Sequence, residues 1–226
     1  MEQLRECSRF QGIKAVRKIL WVTVFGIAMA LVEAAIVVYL RAIYYPDGFS
    51  FPLKVIPLQH YIVELGREAA TILMLMSVAA LCGKQFWERF AHFIVCFGIW
   101  DIFYYVWLRV AIAWPTSLFD SDILFLIPLP WIGPVIAPVT ISVFMIVIGL
   151  FIITLYRNGH EFRPSLLTWV FTITGTLIIL YSFMKDLDAS IHLQMPLPYR
   201  YDLLAAGLVL YAAAFFLAWR NTVKKS

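Results

Sequence analysis

Charge is scarce in this chain. Only 14% of its 226 residues are Asp, Glu, Lys or Arg, where a soluble domain carries about 25%. Apolar residues make up 62% and the mean hydropathy is +0.84. These figures exclude an ordinary soluble domain and a disordered chain. Cysteine is sparse as well: Cys7, Cys82 and Cys96 form no CxxC pair, no metal-spaced set and no disulfide framework. The sequence also lacks HExxH and a GxSG-type serine, so a serine or zinc intramembrane protease of known pattern is not expected. No lysine falls inside a long apolar run, which excludes a retinal Schiff base. No two histidines face one another within such runs, so no bis-histidine haem is expected either.

What the chain has in quantity is apolar length. A membrane-crossing helix needs about 20 mostly apolar residues. Six stretches qualify: Ile19–Tyr44, Tyr61–Cys82, Phe90–Trp114, Pro134–Tyr156, Leu166–Met184 and Leu203–Trp219. The expected fold is therefore all-α, a polytopic bundle of six transmembrane helices forming one integral membrane domain over residues 1–226. The first run is about twice the length of a signal-peptide core and holds Glu33 where a cleavage site would lie, which argues against a cleaved leader. The basic segment before it, residues 1–18, reads either as a charged anchor for span 1 or as an interfacial amphipathic helix.

Lysine and arginine placement sets the expected topology. Arg5, Arg9, Lys14, Arg17, Lys18, Lys84, Arg89, Arg157, Arg163, Arg220, Lys224 and Lys225 fall on one side, twelve of the eighteen basic residues. Arg41, Lys54, Lys185 and Arg200 fall on the other, while Arg67 and Arg109 lie within spans. Both termini are thus expected in the cytoplasm, with the plasma (inner) membrane as the expected location. The net charge of +4 is then a topology signal facing anionic lipid, not a nucleic-acid patch. Membrane lipids are the expected surroundings, and an oligomer or larger membrane complex is compatible with this composition.

The connection between spans 3 and 4 is distinctive. Residues 115–133 form an external, Pro-rich stretch that continues into span 4, with Pro128, Pro130, Pro134, Pro138 and Gly133 among apolar residues. Prolines at this density cannot sustain one straight helix. The stretch is expected to be a short interfacial helix or a re-entrant piece across the outer mouth of the bundle.

Ionisable residues inside spans are costly and mark functional candidates. At a rise of about 1.5 Å per residue, Glu33, Arg67, Glu68 and Asp101 fall in one layer about 9–13 Å below the outer surface. Glu64, Arg67, Glu68 and Thr71 share one stripe of span 2, and Asp101, Tyr104, Tyr105, Leu108 and Arg109 share one of span 3. Spans 1–3 should therefore converge on a polar pocket open to the outside. Glu33, Glu68 and Asp101 are the catalytic candidates. Glu64, Arg67, Tyr105 and Arg109 are the substrate-binding candidates, the arginines suited to an anionic head group. Carboxylates in excess of cations take up a proton or bind a metal. The alternative reading is a set of ion pairs, such as Arg67 with Glu68 or Asp101, that specifies packing. In the outer loops, Asp120 and Asp122 are two apart, as are Asp186 and Asp188, with His192 nearby. The last three form a candidate divalent-metal set, with helix capping as the plainer alternative.

Three functions follow. The first is binding or chemical processing of a small or lipid-derived substrate in the outer pocket, with or without a divalent metal. The second is an accessory or assembly subunit of a membrane complex. The third is a proton- or cation-coupled transporter.

Overall fold

In the computed structural model the described residues are 2–127, 129–186, 189, 192 and 194–223, with side chains described from residue 16 to residue 222 of that set. Helix α1 spans Glu2–Tyr44, α2 Leu58–Cys82, α3 Phe86–Ile112, α4 Ile136–Arg157, α5 Leu166–Met184 and α6 Tyr201–Val223. Six of these segments are long and apolar enough to cross a membrane. Between 22% and 39% of each one's most apolar window is buried inside the molecule. The rest is apolar surface turned outward, including Val63 and Leu73 of α2, Val110 of α3 and Val209 of α6. A water-facing protein does not carry apolar area on that scale, and the six apolar helices mark a multi-pass membrane protein. The basic segment before span 1 is not a separate helix: α1 is continuous for 43 residues.

Helix α3 is the hub. It packs along α1 on one side and α4 on another, with α2 against it as well, while α5 pairs with α6. The inner part of the bundle is apolar, built around Val22, Leu75, Val95, Cys96, Ile99 and Ile152. Small residues allow the closest approaches. A Cβ on Gly149 would lie 2.5 Å from Val95 Cγ2 and 2.8 Å from the Ala91 carbonyl oxygen, so α3 and α4 touch there backbone to side chain.

Of the two forms expected for the Pro-rich connection, an interfacial helix or a re-entrant piece, the helix is not formed. The connection is an antiparallel hairpin of β1 (Ser121–Phe125) and β2 (Trp131–Pro134). Ser121 pairs with Pro134, Asp122 with Gly133, Ile123 with Ile132 and Phe125 with Trp131, with a bulge between Ile123 and Phe125. The physical reason is twofold. Ile123, Phe125, Trp131 and Ile132 suit a pleated, half-buried surface, and prolines at a turn or strand end remove no helical hydrogen bond. Pro128 lies outside the described residues. Pro138 falls in the first turn of α4, where a missing N–H costs little. The hairpin is held at its base by Val135 N–H donating to Asp120 O (3.0 Å) and Ile136 N–H to Leu118 O (2.7 Å). On its α5 side the Trp131 ring stacks on Phe183 at 6.0 Å between centroids.

Candidate functional site

The buried residues of α2 are Glu64, Glu68, Thr71, Leu75 and Ala79, a helical stripe whose upper half is polar. That stripe faces α1 and α3. Together with the 45–57 loop and the hairpin it encloses a cavity of about 410 Å³. The lining includes Glu33, Arg41, Glu64, Arg67, Glu68 and Thr71 from α1 and α2, Trp100, Asp101, Tyr104 and Tyr105 from α3, and Asp122 from β1. The layer expected from helical rise is thus one continuous wall.

Within it, pairing is specific. Glu33, 2% exposed, forms an ion pair with Arg67 Nη1 and accepts a hydrogen bond from the Thr71 hydroxyl. Arg67 also donates from Nε (2.9 Å) and Nη2 (2.8 Å) to Glu64 Oε2. Arg67 therefore serves Glu33 and Glu64, and the expected pairing with Glu68 or Asp101 is not made. The reason lies in partners from outside α1–α3. The Leu126 N–H, at the end of β1, donates to both Glu68 oxygens at 3.1 and 3.0 Å. Asp101 Oδ2 accepts from the Ser142 hydroxyl of α4 at 2.8 Å. Glu68 and Asp101 each have a neutral donor and no cation of their own.

Above this layer Arg41 Nη2 pairs with Asp122 Oδ1 at 2.9 Å. The Arg41 guanidinium carbon lies 3.7 Å from the Trp114 ring centroid and 4.5 Å from that of Phe49, within cation–π range. Burial pushes the Asp122 carboxyl up to about 6, and the charge of Arg41 only partly offsets it. Arg41 Nη1, Asp122 Oδ2 and Trp100 Nε1 are buried with no hydrogen-bond partner.

Other candidates go elsewhere. Tyr105 lines the cavity, but Arg109 does not. Arg109 Nη1 donates to the carbonyls of Ala113 (2.5 Å) and Pro115 (3.0 Å), satisfying the end of α3. The Asp120 and Asp122 carboxylates also part company. Asp120 Oδ2 accepts from Thr116 N (2.7 Å) and Ser117 N (3.1 Å) as a loop cap. Asp186 Oδ2 accepts from Leu197 N at 2.7 Å. Asp188, the middle member of the expected metal set, lies outside the described residues. Among the described residues, no three His, Cys, Asp or Glu, His192 included, are grouped to hold a metal ion. His60 meets the Tyr44 hydroxyl at the rim. His92 Nδ1 bonds the Glu88 carbonyl oxygen at 2.7 Å, one turn back on its own helix.

Sequence reasoning missed Ser142, the Leu126 N–H and the aromatic enclosure of Arg41. A serine in an apolar run on α4 is a weak signal for Asp101, because nothing in its spacing names its partner. A backbone N–H leaves no trace in sequence. Phe49 and Trp114 belong to loops whose approach to Arg41 is set by tertiary packing.

No family model, curated protein or solved structure matches this chain.

Proposed function

We propose that the chain is an integral multi-pass membrane protein with both termini in the cytoplasm, and that its outer-half cavity binds or chemically processes a small or lipid-derived molecule. The observation that carries this is convergence. Five carboxylates, from Glu33, Glu64, Glu68, Asp101 and Asp122, reach one space of about 410 Å³ from three helices and a hairpin. Ligand cavities for small molecules fall in the range of about 300–1,000 Å³, with mainly apolar walls and a few convergent polar groups. A layer of buried carboxylates is expensive at membrane depth. In this reading Glu33 and Glu64 fix Arg67, while Glu68 and Asp101, which carry no cation, are the groups able to bind or exchange a proton with a substrate. The hairpin caps the outer mouth, and the basic residues of the opposite end face the cytoplasm.

One observation favours the accessory-subunit reading. The Glu33–Arg67–Glu64 cluster braces α1 against α2, and a structural role alone would account for that part of the layer. The two readings separate by experiment. Native mass spectrometry of the protein released from nanodiscs should show a retained small or lipid-derived molecule. Val37→Trp, which fills the cavity from α1, should lose it. Equal retention by both proteins, or none by either, would overturn the ligand reading and favour the accessory role.

A further inference from the structure

The walls of the cavity are unequal in charge. Five carboxylates line it against three cations, Arg41, Lys54 and Arg67. Both guanidiniums are engaged. Arg67 spends Nε and both terminal nitrogens on Glu64 and Glu33, and Arg41 is held by Asp122 between two rings. Lys54 sits over the Tyr45 ring at 5.2 Å from its centroid. None of the three faces Glu68 or Asp101 in an ion pair. Asp101 is only partly buried although it lies in the middle of α3, so its accessible surface is surface of the cavity. A second observation points the same way. Asp122 is 3% exposed, lines the same cavity, and its Oδ2 has no hydrogen-bond partner.

Aromatic faces complete the setting. Tyr45, Phe49, Tyr61, Trp100, Tyr104 and Phe125 all contribute to the lining. Aromatic walls with acidic groups between them attract ammonium groups through both the ring quadrupole and the carboxylate charge. An anionic ligand would meet five carboxylates, and the one unpartnered guanidinium nitrogen, Arg41 Nη1, belongs to a cation already paired with Asp122. An inorganic divalent ion would need several oxygens turned to one point, whereas Glu68 faces Leu126 N and Asp101 faces Ser142.

We propose that the occupant of this cavity is an organic cation, an ammonium group on a compact apolar body, with Asp101 and Glu68 as its counter-ions and the aromatic wall around it. This inference rests on the cavity being a ligand site. The two ideas fail differently in one experiment. Cyclohexylammonium, cyclohexanol and cyclohexanecarboxylate share one body and differ in charge. Their binding to the full chain in nanodiscs is read at neutral pH by saturation-transfer NMR, in wild type, Asp101→Asn, Glu68→Gln and Val37→Trp. The expected result is that the ammonium binds at least about tenfold more tightly than the alcohol. Either carboxamide variant should shrink that ratio, and Val37→Trp should abolish binding of all three. The wild-type ratio needs no variant to fold, and two separate carboxamide variants guard against the loss of one. Equal or tighter binding of the alcohol or the carboxylate would overturn the cation inference and leave the cavity reading standing. So would a ratio unmoved in both carboxamide variants. Absence of binding by all three probes, or binding untouched by Val37→Trp, would overturn both.

Discussion

Asp122 meets two opposed forces. Arg41 favours its ionised form at 2.9 Å, and burial disfavours it. Burial is the larger, because the carboxyl is pushed up from its ordinary 3.8 to about 6. A buried ion pair whose desolvation exceeds its Coulomb gain is a net cost to the fold. The sign of the pH dependence follows. The folded chain holds this proton more tightly than the unfolded chain. Its contribution to stability is therefore complete below the ordinary value and is lost as pH rises to about 6. Two units correspond to about 3 kcal/mol. Asn at this position cannot titrate. The unfolding free energy of the wild type, relative to Asp122→Asn, should fall by about 3 kcal/mol between about pH 4 and about pH 6.5, then level off. Parallel pH curves for the two proteins would contradict this. At this scale, what sequence conveys is uneven. Glu33, Arg67, Glu68 and Asp101 are legible as one layer because helical rise and span direction give depth. Their partners are not, because Leu126 N and Ser142 come from elements whose approach no spacing encodes.

Elements show the same division. The helices are legible because about 20 consecutive apolar residues have few other ways to satisfy their backbone. The hairpin was not, since a short apolar run reads alike as strand or helix, and its strand-forming residues are masked by prolines that signal only a break. The contact of α3 with α4 is likewise invisible in composition and offers a sharp test. At Gly149 an added methyl would meet Val95 Cγ2 at 2.5 Å and the Ala91 carbonyl at 2.8 Å. The carbonyl belongs to a helix backbone and Val95 is buried, so neither can withdraw cheaply. Overpacking costs about 1–3 kcal/mol, and Ala recovers about 1 kcal/mol of helix propensity over Gly. The clash wins. Gly66 on α2 is the control, because its Cβ would meet nothing within 4 Å. Gly149→Ala should lower the thermal midpoint in detergent, whereas Gly66→Ala should leave it level or raise it. The reverse order would mean that α3 and α4 are not packed this closely.

For the whole molecule, the ends of the helices and the distribution of basic residues make one statement. Tyr44, Leu58, Ile112, Ile136, Met184 and Tyr201 are the helix ends that meet the 45–57 loop, the hairpin and the 185–200 segment. Of the basic residues, Arg41, Lys54, Lys185 and Arg200 belong to that end, whereas the opposite loops and both termini carry twelve of the eighteen. An excess of Lys and Arg in short loops keeps them in the cytoplasm during insertion. In the proposed orientation the cavity, roofed by the 45–57 loop and the hairpin, opens toward the outside, where a cation from outside the cell could reach it. The orientation can be read with one reagent. Phe119, 66% exposed, sits in the loop before β1, and Asn158 is exposed just after α4 at the other end. In intact cells a membrane-impermeant maleimide should label Phe119→Cys and leave Asn158→Cys untouched until the membrane is opened. Cys82, at the C-terminal end of α2, should stay unlabelled alongside it. Labelling of Asn158→Cys in intact cells, with Phe119→Cys protected, would invert the molecule. The acidic cavity would then face the cytoplasm, and a ligand would have to come from inside the cell.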